Sequence, residues 1–113
     1  MQQQDIIWVN LPYSDLKESK IRPALIVSNN DYNSENLDVV ICAITSNLEK
    51  RPYYIFISQR NLGEDVLPIP SKIKADKIMQ VEKKRISKAF AKLNDETFDF
   101  VTKEIIKLIS KNK

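Results

Sequence analysis

A small, mainly β fold with one C-terminal helix is what this sequence predicts. Short runs of apolar and β-branched residues, typical of strands, fill the first two thirds of its 113 residues. The last part of the chain instead repeats apolar residues at helical spacing. Because closing a short sheet on itself removes its exposed edges, we expect a small barrel or a curled sheet.

Six runs predict strands, and they are residues 5–11, 22–28, 37–45, 53–58, 73–81 and 86–93. The third run is so continuously apolar that both of its faces should be buried. Pro23 stands near the start of the second run, where a missing N–H costs least. Residues 29–34 predict a polar turn, and residues 12–21 predict a long charged loop between the first two strands.

An amphipathic helix is predicted at the end of the chain. Asn94 is a suitable N-cap, and Asp95 and Glu96 would place negative charge at the positive end of the helix dipole. The apolar residues that recur at helical spacing predict a packing face, and they are Phe98, Val101, Ile105, Leu108 and Ile109.

The composition excludes several kinds of functional site. The chain has no histidine and one cysteine, so a Ser-His-Asp triad, a histidine acid–base pair and a histidine-ligated zinc site are all ruled out. We therefore expect no metal and no cofactor, and we interpret Cys42, which lies in an apolar run, as a core residue. The net charge of +3 permits a polyanionic partner without proving one.

Length and hydropathy predict one cytoplasmic domain. Residues 1–113 are enough for a single modest core but not for two. The sequence has no apolar run long enough to cross a membrane. Its N-terminus lacks the basic start and apolar stretch of a signal peptide.

Two blocks of sequence resemble the MazF/PemK family of toxins. The first block lies in residues 20–33 and reads Arg-Pro-Ala-Leu from Arg22 onward. The second lies in residues 40–47 and reads Ile-Thr-Ser from Ile44 onward. The similarity continues in order from Asp5 to the C-terminal helix, which is nearly the full chain.

The chain departs from the family pattern at three places. Gln4 precedes the first strand where the family usually has glycine. Residues 17–20 read Lys-Glu-Ser-Lys where many members have glycines. Met79 stands where some members carry an arginine.

The resemblance implies a fold, an activity and partners. The fold is an SH3-like small barrel of the CcdB-like type that pairs into a homodimer. The activity is that of an endoribonuclease, or mRNA interferase, which cleaves single-stranded RNA and leaves a 2′,3′-cyclic phosphate. The partners are a cognate antitoxin of a type II toxin–antitoxin system and, through the antitoxin complex, promoter DNA.

Arg22 and Thr45 are the first catalytic candidates. Metal-free RNA cleavage uses the substrate's own 2′-hydroxyl as nucleophile and needs groups that stabilise charge on the phosphorane. An arginine fork matches phosphate oxygens in two-point geometry, and a hydroxyl at a strand end can donate to one of them. The resemblance matches both residues to the family's catalytic arginine and threonine. Without it, Arg22 would be an ordinary solvated charge and Thr45 a good strand former.

Glu18 in the first loop, four residues before Arg22, is the preferred candidate for the proton acceptor, and Asp76 on a later strand is its rival. Several polar residues are candidates for binding the RNA, and they are Ser19, Lys20, Ser46, Asn47, Ser71 and Asp76. Lys17, like Lys20, could attract the RNA backbone by its charge. Tyr13 and Tyr32 are weak candidates for stacking on bases.

Two other functions remain open. The chain could be a catalytically inactive family member that only binds an antitoxin or a DNA-bound complex, since small barrels of this type serve as binding modules. It could also be a toxin directed at gyrase, as a relative of this fold is. The presence of both Arg22 and Thr45 argues against the gyrase reading, because these positions serve RNA cleavage in the family.

Overall fold

The computed structural model describes residues 1–12, 19–63 and 65–112. Its elements are β1 (Asp5–Pro12), β2 (Ser19–Ile26), α1 (Asn30–Glu35), β3 (Asp38–Thr45), β4 (Tyr54–Ile57), β5 (Ser71–Glu82), β6 (Ile86–Lys92) and α2 (Asp95–Ile109), with single 3-10 turns at Gln59–Asn61 and Lys83–Arg85. The strands form one six-stranded sheet in the order β4-β5-β3-β2-β1-β6, and all of its ladders are antiparallel. The predicted fold class, mainly β with a C-terminal helix, is confirmed.

The sheet curls so that its two ends approach each other. Beyond β4 and β6, which lie at opposite ends of the strand order, Leu62 and Leu93 form an antiparallel bridge. The Asn94 N–H donates to the Asn61 carbonyl at 2.8 Å. Joining the two ends in this way limits the exposed strand edges that promote aggregation.

Both faces of the central strands are buried. Alternate residues of β1, β2 and β3 contribute to two apolar clusters. Ile6 and Leu25 belong to the cluster that also contains Val101 of α2. Ile7 belongs to the other cluster, with Val39. A strand that packs on both sides needs apolar residues at nearly every position, which explains the continuous apolar run of β3.

The prediction of a polar turn at residues 29–34 is wrong, because most of this segment forms the short helix α1. The Asn29 side chain accepts a hydrogen bond from the Tyr32 N–H at 2.8 Å and so caps the helix. Asn33 is buried and its amide donates to the Ser28 carbonyl at 2.9 Å. A single capped turn has no apolar periodicity, and residue composition alone therefore could not separate it from a turn.

The predicted C-terminal helix is confirmed from its cap onward. The Asn94 side chain accepts from the Thr97 N–H at 2.9 Å, and Val101 is fully buried against the sheet. The predicted packing face is wrong at its end, since Leu108 is 36% and Ile109 is 72% exposed. The last turn of α2 extends past the sheet surface that covers the earlier turns.

The first hairpin is longer than the sequence suggested. Leu11 pairs with Lys20, so Lys20 and Ile21 belong to β2 and not to the predicted loop at 12–21. The remainder of that loop, residues 13–18, lies outside the described residues. Within the described residues no helix is both long and apolar enough to span a membrane.

Candidate functional site

Arg22 and Thr45 lie near the same end of two neighbouring strands. The β2–β3 ladder pairs Ala24 with Ala43 and Leu25 with Cys42. Continuing that register for two residues places Arg22 opposite Thr45. Residues opposite each other in an antiparallel pair project from the same face, so the two side chains point to one side of the sheet.

A cavity of about 270 Å³ lies at this end of the sheet, and we call it the basic cleft. Its lining residues are Leu11, Arg22, Ala43, Ile44, Thr45, Lys74, Lys77 and Met79. Three of them carry positive charge. Because closely spaced cations inside a concave surface raise the local concentration of anions, the cleft suits a phosphate chain.

An offset in strand pairing brings the two lysines to the cleft. Cys42 pairs with Ile78, but Ile44 pairs with Ile73. Ala43 of β3 therefore faces the four residues 74–77 of β5, and Lys74 and Lys77, the first and last residues of this bulge, line the cleft with Arg22. Neither lysine is predicted as a site residue from the sequence, because a bulge of this size leaves no mark in the apolar pattern of the strand.

The Thr45 hydroxyl is oriented by the turn that follows it. Its oxygen accepts a hydrogen bond from the Asn47 N–H at 3.1 Å. The Asn47 side-chain oxygen in turn accepts from the Glu49 N–H at 3.0 Å. Since accepting a bond does not use the hydroxyl proton, Thr45 is held in place and can still donate to a ligand.

A second cavity of about 240 Å³ adjoins the basic cleft, and we call it the apolar pocket. Its lining residues are Ile6, Trp8, Arg22, Pro23, Ile44, Thr45, Ser46, Leu67, Pro68, Ile69, Ser71 and Phe90. Arg22, Ile44 and Thr45 line both cavities and thus form the boundary between them.

The other predicted site residues divide into three groups. Ser46 and Ser71 line the apolar pocket, and the buried Ser71 hydroxyl donates to the Ile69 carbonyl at 3.1 Å. Among the described residues, Lys20, Asn47 and Asp76 are part of neither cavity.

The third group lies outside the described residues and consists of Tyr13, Lys17, Glu18 and the side chain of Ser19. Tyr32, the other stacking candidate, is half-buried, and its hydroxyl accepts from the Gln80 amide at 2.9 Å.

Cys42 is a core residue, as predicted. It is fully buried in β3, and burial, with a contribution from the Asp76 carboxylate, raises the pKa of its thiol to about 12. A thiol with so high a pKa carries almost no thiolate near neutral pH and is therefore a poor nucleophile. Across residues 1–12, 19–63 and 65–112, no three acidic or cysteine side chains gather into a group able to hold a metal ion.

The similarity to known proteins decides the family. A model of the PemK-like, MazF-like toxin of type II toxin-antitoxin systems matches residues 2–109. The chain belongs to this toxin family. No curated protein is significantly similar in sequence to the toxin.

Solved structures share the fold of the toxin at low sequence identity. A mycobacterial endoribonuclease in complex with its cognate antitoxin has a TM-score of 0.78 and 19% identity, with 99% of each chain covered. A MazE–MazF complex from Deinococcus radiodurans has a TM-score of 0.81 and 17% identity, covering 99% of the toxin and 98% of the other chain. MazF from the same organism has a TM-score of 0.79 and 18% identity, with 96% of each chain covered.

Proposed function

We propose that this toxin is a metal-independent endoribonuclease that cleaves single-stranded RNA. The observation that carries the proposal is that Arg22 and Thr45, from separate strands, line one cleft together with Lys74 and Lys77. In this reaction the ribose 2′-hydroxyl attacks the adjacent phosphorus, the bond to the 5′-oxygen of the next nucleotide breaks, and a 2′,3′-cyclic phosphate remains. The similarity to structures of endoribonucleases supports the same activity.

Arg22 and Thr45 stabilise the charge that develops on the phosphorane. The guanidinium offers paired donors that fit two phosphate oxygens, and it stays protonated throughout. The Thr45 hydroxyl donates to a phosphate oxygen from a fixed position. Lys74 and Lys77 hold the neighbouring phosphates by charge and offer protons near the leaving oxygen.

Glu18 takes the proton from the 2′-hydroxyl in this proposal. Of the two carboxylates considered, Asp76 is exposed and lines neither the basic cleft nor the apolar pocket. Glu18 belongs to the segment that precedes β2 in the chain, four residues before Arg22. Ser19 and Lys20, the next two residues of the chain, would contact the RNA backbone.

The partners follow from the family. We propose that the toxin works in the cytoplasm as a homodimer, is inhibited by a cognate antitoxin, and contacts promoter DNA through the antitoxin complex. Mycobacterial and Deinococcus radiodurans relatives of the same fold have structures with their antitoxins, which supports the antitoxin partner.

An RNA digest tests the proposal. The purified chain, incubated with a long unstructured RNA in EDTA, should give discrete fragments that end in cyclic phosphate. Arg22→Ala and Thr45→Ala should each lower the cleavage rate about a hundredfold or more, because each removes a donor to the developing charge. Thermal melting of both variants checks that they fold.

Matched controls separate the site from general effects of charge and hydroxyl loss. Arg85 forms an ion pair with Glu82 outside both cavities, and Thr102 is exposed on α2. Arg85→Ala and Thr102→Ala should therefore cleave at the wild-type rate. RNA left intact by the wild-type chain under all conditions would reject the activity and favour the inactive, antitoxin-binding alternative.

A further inference from the structure

We propose that the groove between β4 and α2 binds an extended peptide segment of a partner protein, which adds to the sheet as a strand and ends in a carboxylate near Lys103. We call this cavity of about 820 Å³ the edge groove. None of its lining residues lines the basic cleft or the apolar pocket. A partner can therefore occupy the groove while RNA is bound, and the inference does not depend on the proposed ribonuclease activity.

The outer edge of β4 offers unpaired backbone groups to an added strand. Within the described part of the chain, β4 stands at one end of the strand order and pairs only with β5. The Ala75 N–H donates to the Tyr53 carbonyl at 3.0 Å, so the alternation of an antiparallel ladder directs the N–H and C=O of Phe56 away from β5. Among the described residues, neither of these two groups has a hydrogen-bond partner. Open strand edges of this kind bind extended peptides through main-chain hydrogen bonds.

The groove carries exposed aromatic rings on opposite faces of β4. Ile55 and Ile57 belong to the same core cluster as Val101 of α2, so α2 covers the face of β4 from which these two side chains project. Phe56 projects from the other face, because successive side chains of a strand alternate. Phe56 is 46% and Phe100, on α2, is 53% exposed. A strand beside β4 would bury side chains against both rings, which favours a peptide with apolar residues on both faces over a sugar-phosphate chain.

α2 runs antiparallel to β4 along the groove. Next to the start of β4, the Lys107 ammonium lies 5.9 Å from the centroid of the Tyr53 ring. Beyond the end of β4, the Asn61 amide donates to the Thr97 hydroxyl at 3.0 Å. The first turns of α2 therefore lie at the end of β4, and the later turns lie at its start.

The end of the groove near the start of β4 is basic. Lys103 lines the groove and lies four residues before Lys107, on the same side of the helix. The Arg51 guanidinium lies 5.9 Å from the centroid of the Tyr54 ring, which also lines the groove. Arg51 pairs with Glu49 at 3.8 Å, but Lys103 forms no ion pair with the described residues. This end of the groove is therefore suited to a carboxylate.

The opposite end of the groove has the reverse charge. Glu96 and Asp99 of α2 line it together with Arg60, so the acidic groups outnumber the basic one. A bound segment thus fits best with a basic residue near Glu96 and a carboxylate near Lys103. Because the carboxylate ends the segment, the segment runs antiparallel to β4, which is the slightly more stable direction of strand pairing.

Nuclear magnetic resonance of the ¹⁵N-labelled chain tests the groove directly. The probe is the acetylated heptapeptide Lys-Thr-Val-Ile-Val-Thr-Val with a free C-terminal carboxylate, which has the required charges and apolar residues on both faces. At millimolar peptide the Phe56 amide should shift downfield and exchange its proton at least about tenfold more slowly, because it becomes hydrogen-bonded. The amides of β6, at the other end of the strand order, should not change.

Altered peptides separate strand addition from general adhesion. One form carries N-methyl groups on the odd residues and another on the even residues, so each keeps all side chains but loses one row of N–H donors. Only one row can face β4, so one form should bind at least about tenfold more weakly than the parent peptide, and the other should bind as the parent does. A peptide with a C-terminal amide should bind about 2- to 5-fold more weakly, because it lacks the charge that Lys103 attracts.

Substitutions in the chain test the groove from the other side. Phe100→Ser should weaken binding about fivefold, whereas Leu37→Ser, which removes an exposed apolar side chain outside the groove, should have no effect. Lys103→Glu should weaken binding of the free acid more than that of the amide, and Lys88→Glu, at an exposed position of β6, should affect neither. Phe100→Ser and Lys103→Glu should cleave RNA at the wild-type rate, since neither residue lines the basic cleft.

Four results would overturn the proposal. The absence of a Phe56 shift at millimolar peptide would reject the site, and equal binding by the two N-methylated forms would reject strand addition. Slower Phe56 exchange at higher protein concentration without peptide would assign the edge of β4 to a second copy of the chain. A Phe56 shift with a 2′-O-methyl oligoribonucleotide but not with the peptide would assign the groove to a nucleic acid.

Discussion

Gln4 shows how one residue can compensate for an unfavourable backbone. It has a φ of 78°, in the left-handed region that costs most residues about 1–2 kcal/mol and that glycine adopts freely. The MazF/PemK pattern has glycine at this position. Here the Gln4 amide donates to the Leu93 carbonyl and to the Asp95 carboxylate, each at 2.9 Å, and so connects the start of β1 to the start of α2.

Two substitutions of Gln4 separate strain from hydrogen bonding. Gln4→Ala keeps the strained backbone and loses both bonds, so it should lower the free energy of unfolding by about 1–2 kcal/mol. Gln4→Gly loses the same bonds but relieves the strain, so its free energy of unfolding should lie within about 1 kcal/mol of the wild-type value. Urea denaturation measures the free energy of unfolding of both variants. Equal stability of the two variants would refute this account of the position.

At the scale of whole elements, local chemistry determined what the sequence could predict. The six strands and α2 were predictable because each has an apolar pattern with a clear start or cap. α1 was not, because its stability depends on the Asn29 cap and the burial of Asn33 and not on a repeat. The end of α2 was mispredicted because periodicity does not indicate where the sheet beneath a helix ends.

The candidate site was predictable only in part, for a related reason. Arg22 and Thr45 stand out through the family resemblance, and the register of β2 and β3 can then place them together. Lys74 and Lys77 reach the cleft through the β5 bulge, which depends on three-dimensional pairing. Trp8 and Phe90 come from strands that are distant in sequence but adjacent in the sheet, where β1 pairs with β6.

The cap of α2 can be tested as an element. Asn94→Ala removes the acceptor for the Thr97 N–H and the amide that donates to the Arg60 carbonyl at 3.3 Å. It should destabilise the chain by about 1 kcal/mol, within the 0.5–2 kcal/mol range of lost caps, and lower the melting temperature by several degrees. Asn94→Asp keeps the capping oxygen and should recover most of the loss, whereas a full loss in both variants would show that the cap is not the cause.

At the scale of the whole molecule, α2 exposes more apolar surface than its packing on the sheet explains. Ile106 is 54% and Ile109 is 72% exposed, and their spacing of three residues places them on one side of the helix. Large apolar side chains gathered on one element often mark an interface with another protein. We expect this surface to contribute to the homodimer proposed for the toxin.

Sedimentation tests this expectation by measuring the oligomeric state of the chain. The wild-type chain should sediment as a dimer at micromolar concentration, and Ile109→Lys should shift it toward monomer, because a charge placed in an apolar interface is poorly solvated. Lys107→Glu, at an exposed position on the opposite side of the same helix, serves as the control and should remain dimeric. A monomeric wild type would reject the homodimer, and an Ile109→Lys variant that sediments as a dimer would place the interface elsewhere.

The uneven pairing of β3 with β5 allows the positions of the lysines in the basic cleft to change without a change in the rest of the sheet. Since Ala43 faces four residues and the ladder resumes on either side of them, a residue added between the exposed Asp76 and Lys77 would leave the paired segments on both sides of the bulge in place. Such an insertion would change the spacing of the lysine charges by several ångströms, while the buried Ala75 kept its position in the interior. The spacing of the charges is thus open to variation in chain length as well as to point substitution.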